Sequence, residues 1–352
     1  GAVSLVDART GEIHRVDHGN LQVSARSLSG PFKIDGSLTY DEAPYSLRLA
    51  TGKQQGDGAI RVKASVTPTM VPVELSLDGE LSQEDETPVF EGGFNLVSVT
   101  PEDQADHAWR TSGDFNASVS GLDIPSFEYR FGPEDRVLGL DGRASIVFEG
   151  ERRFEIRAKA KQLDLDRLYG GGPQAPVGLS EAGKSLLSAL KSLPMPKMDG
   201  VIALDVPAVV VGGGLVQNVR LDLETMVGGW RIARLAGRAP GRTVIATQGD
   251  LVVSDNPAFR GNLSVNSEQP GAFAAWWQQS DAGSGAIQPV SIEGRLNVVP
   301  DGAALDNLRL TLAGSQATGA LSYRKPRNGN GIFSLSLVAD ALDLDELERL
   351  SA

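Results

Sequence analysis

The residues best spaced for chemistry are 178-GLSEAGKS-185, which match the G-x-x-x-x-G-K-[ST] pattern of a phosphate loop letter for letter. Such a loop curls backbone N–H groups around phosphate oxygens where a helix begins, and its lysine, here Lys184, reaches the terminal phosphates. That geometry needs a buried strand directly before the first glycine. Here 171-GGPQAPV-177 is a Pro/Gly hinge instead. The run 201-VIALD-205 ends in an aspartate, as a magnesium-site strand would, but it follows Lys184 by only 21 residues. That is too short for a crossover helix and a separate central strand. The stretch reads as a helix start.

The other candidates are weaker. His14 and His18 sit four apart in a strand-turn region, a spacing that suits no metal geometry there. The pairs Asp164/Asp166 and Asp343/Asp345 lack the glycine-spaced ligand loop of a calcium site and read as helix caps. There is no cysteine, which removes disulfides, thiolate zinc sites and cysteine nucleophiles. No G-x-S-x-G elbow occurs, and His107 has no supporting motif for a nucleophile pair. The acids Glu84, Asp85, Glu86, Glu102 and Asp103 read as solvated loop charge. Trp109, Trp230, Trp276 and Trp277 read first as packing groups. The sequence therefore predicts no catalytic residue, no metal and no cofactor. A net charge of −12 argues against nucleic acid as a partner and against adhesion to an anionic membrane surface.

The elements available to position anything are strands. In 331-GIFSLSLVADALDLDELERL-350, Phe333, Leu335, Leu337 and Ala339 alternate with Ser334, Ser336 and Val338, the pattern of a strand with one buried face. The leucines then shift to helical spacing behind Asp343 and Asp345. The stretch 154-FEIRAKAKQLDLDRL-168 repeats this pattern without a gap, 179 residues earlier. A second correspondence links 73-VELSLDGELSQEDETPVFEGGFNLVSV-99 with 244-VIATQGDLVVSDNPAFRGNLSV-265 through G-[ED]-L, P-x-F-x-G and N-L. Both copies continue through a proline to tryptophan, Trp109 in one and Trp276 and Trp277 in the other.

The unit is far longer than a solenoid repeat. We expect a mainly β fold: an elongated, curled antiparallel sheet forming a β-groove, built from two long repeats of roughly nine strands with a few short helices. The first repeat spans 1–175, with N-terminal strands over 1–66 and the repeat body over 67–170. The second spans 176–352 and begins with a helix over 180–193, for which Ser180 is the expected N-cap and Pro194 the stop. A second helix is expected over 270–279. So wide a one-sided apolar sheet with so little helix folds on itself as a sandwich, closes as a barrel, or curls around something apolar. If it curls, the alternation predicts a lining of Leu75, Leu77, Ile156, Ile202, Leu204, Leu221, Leu223, Leu308, Leu310, Leu312, Leu335 and Leu337. A one-residue slip in register would turn each of them outward.

In the order of its motifs the chain resembles the AsmA family of Gram-negative envelope proteins. The residues that carry the likeness are 1-GAVSLVDARTGEIHRVDHGNLQVSARSLSGPFKIDGSL-38, 218-NVRLDLETMVGGWRIARLAGRAPGRTVIATQGDL-251, 307-NLRLTLAGSQATGALSYR-324 and the two Leu-Asp-Leu-Asp turns. The resemblance implies a periplasmic body of β-groove modules that carries phospholipid acyl chains during outer-membrane biogenesis, with possible envelope protein partners. It also implies an inner-membrane anchor helix, which these residues do not contain. Their opening on Gly1 reads as an excerpt or processed form. The family offers no catalytic motif. The alternative is a structural scaffold or outer-membrane protein assembly factor that works through protein contacts without lipid.

Overall fold

Period-two alternation runs through most of the chain, and the computed structural model folds it as antiparallel sheet. It describes residues 3–6, 13–25, 27, 30–40, 42–56, 58–85, 87–100, 108–133, 137–192, 198–254, 256–280, 288–312, 315–326 and 330–339. Strand makes up 69% of these residues and helix 9%, so helices cannot cover the sheet. The mainly β, open-sheet architecture expected from the sequence is the one observed. The second Leu-Asp-Leu-Asp turn, the 7–12 turn, Pro194, His107, Glu86, Glu102 and Asp103 lie outside the described residues.

Two compact units, Gly1–Glu155 and Ile156–Ala352, divide the chain. The first is a meander of β1 (Val3–Val6), β2 (Ile13–Ala25), β3 (Phe32–Tyr40), β4 (Ala43–Thr51), β5 (Ile60–Pro68), β6 (Val73–Glu84), β7 (Thr87–Ser98), β8 (Trp109–Ser118), β9 (Gly121–Phe131) and β10 (Leu138–Val147). Each strand pairs antiparallel with the next.

β11 (Arg153–Lys159) spans the division, and β12 (Leu163–Asp164), α1 (Leu165–Tyr169) and α2 (Leu179–Ser192) follow. The second meander comprises β13 (Asp199–Val211), β14 (Gly214–Met226), β15 (Gly229–Ala239), β16 (Thr243–Val252) and β17 (Ala258–Ser267). After α3 (Pro270–Gln278) it resumes as β18 (Val290–Val299), β19 (Gly302–Leu312), β20 (Ser315–Arg324) and β21 (Ile332–Ala339). β12 runs parallel to β13, pairing Leu163 with Val209. This pairing ties the first Leu-Asp-Leu-Asp turn to the second unit. Both expected helices form. α2 starts at Leu179, so Ser180 lies inside the first turn and does not cap it.

One face of the first unit is polar and held by exposed ion pairs. Arg61 Nη2 and Lys63 Nζ of β5 each lie 2.9 Å from the Asp78 carboxylate of β6. The hydrogen bond from Lys63, and then that from Arg61, holds the Asp78 carboxyl below its ordinary range. A depressed carboxylate pKa stabilises the fold above the unfolded value of about 3.9, and that contribution is lost as pH falls through the folded value. Because the group is exposed, the effect is small. A carboxyl NMR titration should place the Asp78 midpoint below the ordinary value, and Lys63→Met should raise it. An unmoved midpoint would contradict the pairing.

Candidate functional site

Cross-strand partners point to the same side of a sheet, so the pairings sort every strand residue onto a face. In the first unit Val23, Ile34, Leu49, Ala64, Leu77, Phe94, Gly113, Phe127 and Gly142 follow one another as direct partners from β2 to β10. A second row beside it runs Leu21, Gly36, Leu47, Val66, Leu75, Leu96, Thr111, Tyr129, Leu140 over the same strands. In the second unit Ile202, Leu223, Ile232, Gly249, Gly261, Leu296, Leu305, Leu321 and Leu335 form an unbroken row from β13 to β21. Each unit thus carries nine strands with one continuous apolar face.

Glycines on that face let neighbouring strands approach closely. Gly79 faces Gly92 across β6–β7, and Gly249 faces Gly261 across β16–β17. A Cβ on Gly92 would run into the Asp78 carbonyl oxygen, and one on Gly249 into that of Arg260. At each pair the two strand backbones therefore approach more closely on the apolar side than any side chain would allow. A phenylalanine two residues before one glycine of each pair, Phe90 or Phe259, lays its ring over the crease. Phe90 also meets Phe115 edge-on, with ring centroids 5.0 Å apart. The sequence correspondence between 73–99 and 244–265 is therefore one structural device used twice.

The face is not sealed. Among the described residues of the first unit only Gly30, Ala59, Val62, Val89, Phe115 and Phe154 are buried. Leu47, Leu49, Leu75, Leu77, Phe94 and Leu96 are half-buried, as on the wall of an open trough. A sandwich would have buried both its inner faces.

The predicted lining residues fall on this face wherever the pairings define it. Leu75 and Leu77 sit centrally in the first unit. In the second, Ile202 pairs with Leu223 and Leu204 with Leu221 on β13–β14. Leu308 and Leu337 flank Gly319, Leu310 faces Ile292, and Leu312 faces Val290. Leu335 faces Leu321. Leu223 and Leu308 are buried, whereas Leu335 and Leu337 are exposed. Ile156 is half-buried and alternates in phase with buried Phe154 and Ala158. The two groups of the second unit share a face but are separated by β15–β18.

The rest of the row, Ile232, Leu263, Ile292, Leu296 and Leu305, is absent from the predicted lining. Leu263, Ile292 and Leu296 lie in plain alternation, whereas bulges hide Ile232 and Leu305. β15 shifts register between Ile232 and Leu235, and β19 between Leu305 and Leu308, so residues three apart share a side. Asn307 takes a positive φ in the second of these bulges, and asparagine tolerates that conformation. That residue type was the available signal.

The opposite face is charged. Depressions of about 670 Å³ beside Lys33, Arg48, Lys63 and Asp78, and about 690 Å³ beside Arg234, Gln248, Asn262, Arg295 and Arg309, lie there. They are shallow gaps among long polar side chains, with Leu49 and Phe94 at the first and Ala246 and Leu263 at the second also contributing to the walls.

One end of the second unit is clamped by a buried acid. Asp164 caps α1, its Oδ1 accepting from Arg167 N at 2.8 Å, as the Leu-Asp-Leu-Asp turn predicts. Asp166 does something else. It is 1% exposed, and its carboxylate accepts from the backbone N–H of Val177, Gly212 and Gly213 at 3.1, 2.7 and 2.8 Å. The expected cap is instead a pin that holds the linker and the β13–β14 turn, because the turn's two glycines at positive φ turn their N–H groups inward. At the same turn Trp276 Nε1 donates to Val211 O at 2.9 Å, while Trp277 is 61% exposed. Trp109 lies in strand β8 and Trp276 and Trp277 lie in α3, so the expected tryptophan correspondence between the repeats is not structural.

The phosphate-loop match lies at the start of α2. A short 3-10 turn and extended linker lead into Gly178, and no strand does, so the strand-loop-helix geometry is not formed. Among the described residues no cluster of three or more His, Asp or Glu is gathered to hold a metal, and no helix is long and apolar enough to cross a membrane. Comparison with known proteins finds no matching family model, no matching curated protein and no matching solved structure.

Proposed function

We propose that each unit shelters lipid acyl chains along its apolar face, and that the protein conducts phospholipid through the periplasm for outer-membrane biogenesis, held to the inner membrane by an anchor. The observation that carries this reading is the apolar row across nine strands of each unit, half-buried at Leu49, Leu77 and Phe94 in the first and running in the second from buried Leu223, Ile232 and Leu305 to exposed Leu321 and Leu335. At about 4.8 Å per strand a row runs roughly 38 Å, against about 15 Å for one leaflet of a bilayer's hydrocarbon core. The compartment, the anchor and the choice of phospholipid rest on the AsmA-like order of motifs.

The energetics suit carriage. Each CH₂ taken from water gains about 0.8 kcal/mol, so a sixteen-carbon chain gains roughly 13 kcal/mol when fully covered and about half that on a one-sided wall. A bilayer offers at least as much, so the trough passes chains on instead of trapping them. Headgroups stay in water at the open side, and little headgroup selectivity is expected. The scaffold alternative calls for a dry interior; the first unit buries few residues, whereas the second buries Leu223, Trp230, Ile232, Leu305 and Leu308.

Protein purified without detergent should carry phospholipid visible by mass spectrometry. Leu77→Asp with Leu96→Asp should lower the lipid per chain by about tenfold, since charge is poorly tolerated in an acyl-lined site. Ser76→Asp with Asn95→Asp, on the same strands and the polar face, should leave it unchanged. Lipid-free wild-type protein, or equal loss in both variants, would refute the reading.

A further inference from the structure

β11 and β21 are sequence copies with different surroundings. Phe154 and Ala158 of β11 are each 7% exposed, whereas their counterparts Phe333 and Leu337 of β21 are 73% and 41% exposed. β11 leads into β12, which lies parallel to β13, and just before it Ala160 N donates to Asp205 O of β13 at 3.0 Å. β21 pairs with β20 from Arg324↔Ile332 to Ala317↔Ala339. Among the described residues no strand occupies its other edge. Its sequence, 332-IFSLSLVA-339, has no charge, no proline and no bulge in its pairing, the devices by which proteins protect an edge they mean to leave open.

We propose that the free edge of β21 takes up a further protein strand of the β13 kind, aliphatic at alternate positions and running parallel to β21 as β13 runs beside β12. The occupant follows from the repeat: the same stretch in its first copy has a strand of this kind as its neighbour. Leu335 ends an apolar row and Leu337 lies on the same face, so an added strand with aliphatic side chains on that face would lengthen the row. This holds whether or not the trough carries lipid.

The test uses the full chain and a peptide of residues 199–211 with a lysine tail for solubility, read by amide hydrogen exchange. Saturating peptide should slow exchange over 332–339 by about tenfold or more and leave β16–β17 unchanged. A peptide N-methylated at alternate residues, which cannot pair, should have no effect, and this control does not touch the protein's own fold. Leu335→Lys with Leu337→Lys should abolish the protection. Protection of β21 without peptide, together with a dimer in sedimentation, would also support the proposal and name a second copy as the source of the strand. In protein not already protected there, no slowing over 332–339, or equal slowing with the N-methylated peptide, would overturn it.

Discussion

Gly92→Ala is expected to destabilise the first unit by about 3–5 kcal/mol, while Gly93→Ala, one residue on, costs less than about 1 kcal/mol. The two point to opposite sides of β7. A Cβ on Gly92 would overlap the Asp78 carbonyl and the Gly79 backbone, and neither can retreat without parting the β6–β7 ladder. A Cβ on Gly93 finds its nearest neighbour, the Gly113 carbonyl oxygen, at 3.7 Å. Substituting Gly261, the second unit's counterpart, should hurt that unit similarly, since its Cβ would meet the Gln248 carbonyl. Hydrogen exchange, read over β2–β10 and β13–β21 separately, measures both. Equal costs at Gly92 and Gly93 would contradict the close approach at the crease.

Asp166→Asn should cost the second unit about 3–5 kcal/mol at neutral pH. The buried carboxylate accepts three backbone N–H groups, and an asparagine places its own donor among them, leaving at least one buried N–H without an acceptor. Asp164→Asn should cost under about 1 kcal/mol, because asparagine caps a helix nearly as well. Urea unfolding followed by tryptophan emission is suited to this comparison, since Trp276 is bonded beside the pinned turn. Two carboxylates of one short motif thus separate by several kcal/mol, and similar midpoints would remove the pin from the account.

Much of this fold is legible as alternation. The period-two runs place Leu75, Leu77, Ile202, Leu204, Leu221 and Leu223 on one face, and the repeated G-[ED]-L and P-x-F-x-G segments lead directly to the paired creases. α2 and α3 follow from helical spacing and proline punctuation. What could not be read is whatever depends on the partner strand. Nothing within β15 says that Ile232 and Leu235 share a side, because a bulge is a mismatch between two strands. Asp166 looked like a cap because its acceptor role depends on Gly212 and Gly213, more than forty residues away. The tryptophans misled because spacing after a proline is the same whether a strand or a helix follows.

The central claim is that one side of each sheet, and not the other, meets hydrocarbon. Photocrosslinking residues placed singly at Leu75, Ser76 and Leu77, and at Ile202, Ala203 and Leu204, test it in protein incubated with vesicles of radiolabelled phosphatidylethanolamine. The account predicts lipid adducts at Leu75, Leu77, Ile202 and Leu204, with Ser76 and Ala203 near background. Adducts without that alternation, or none at any position, would contradict it.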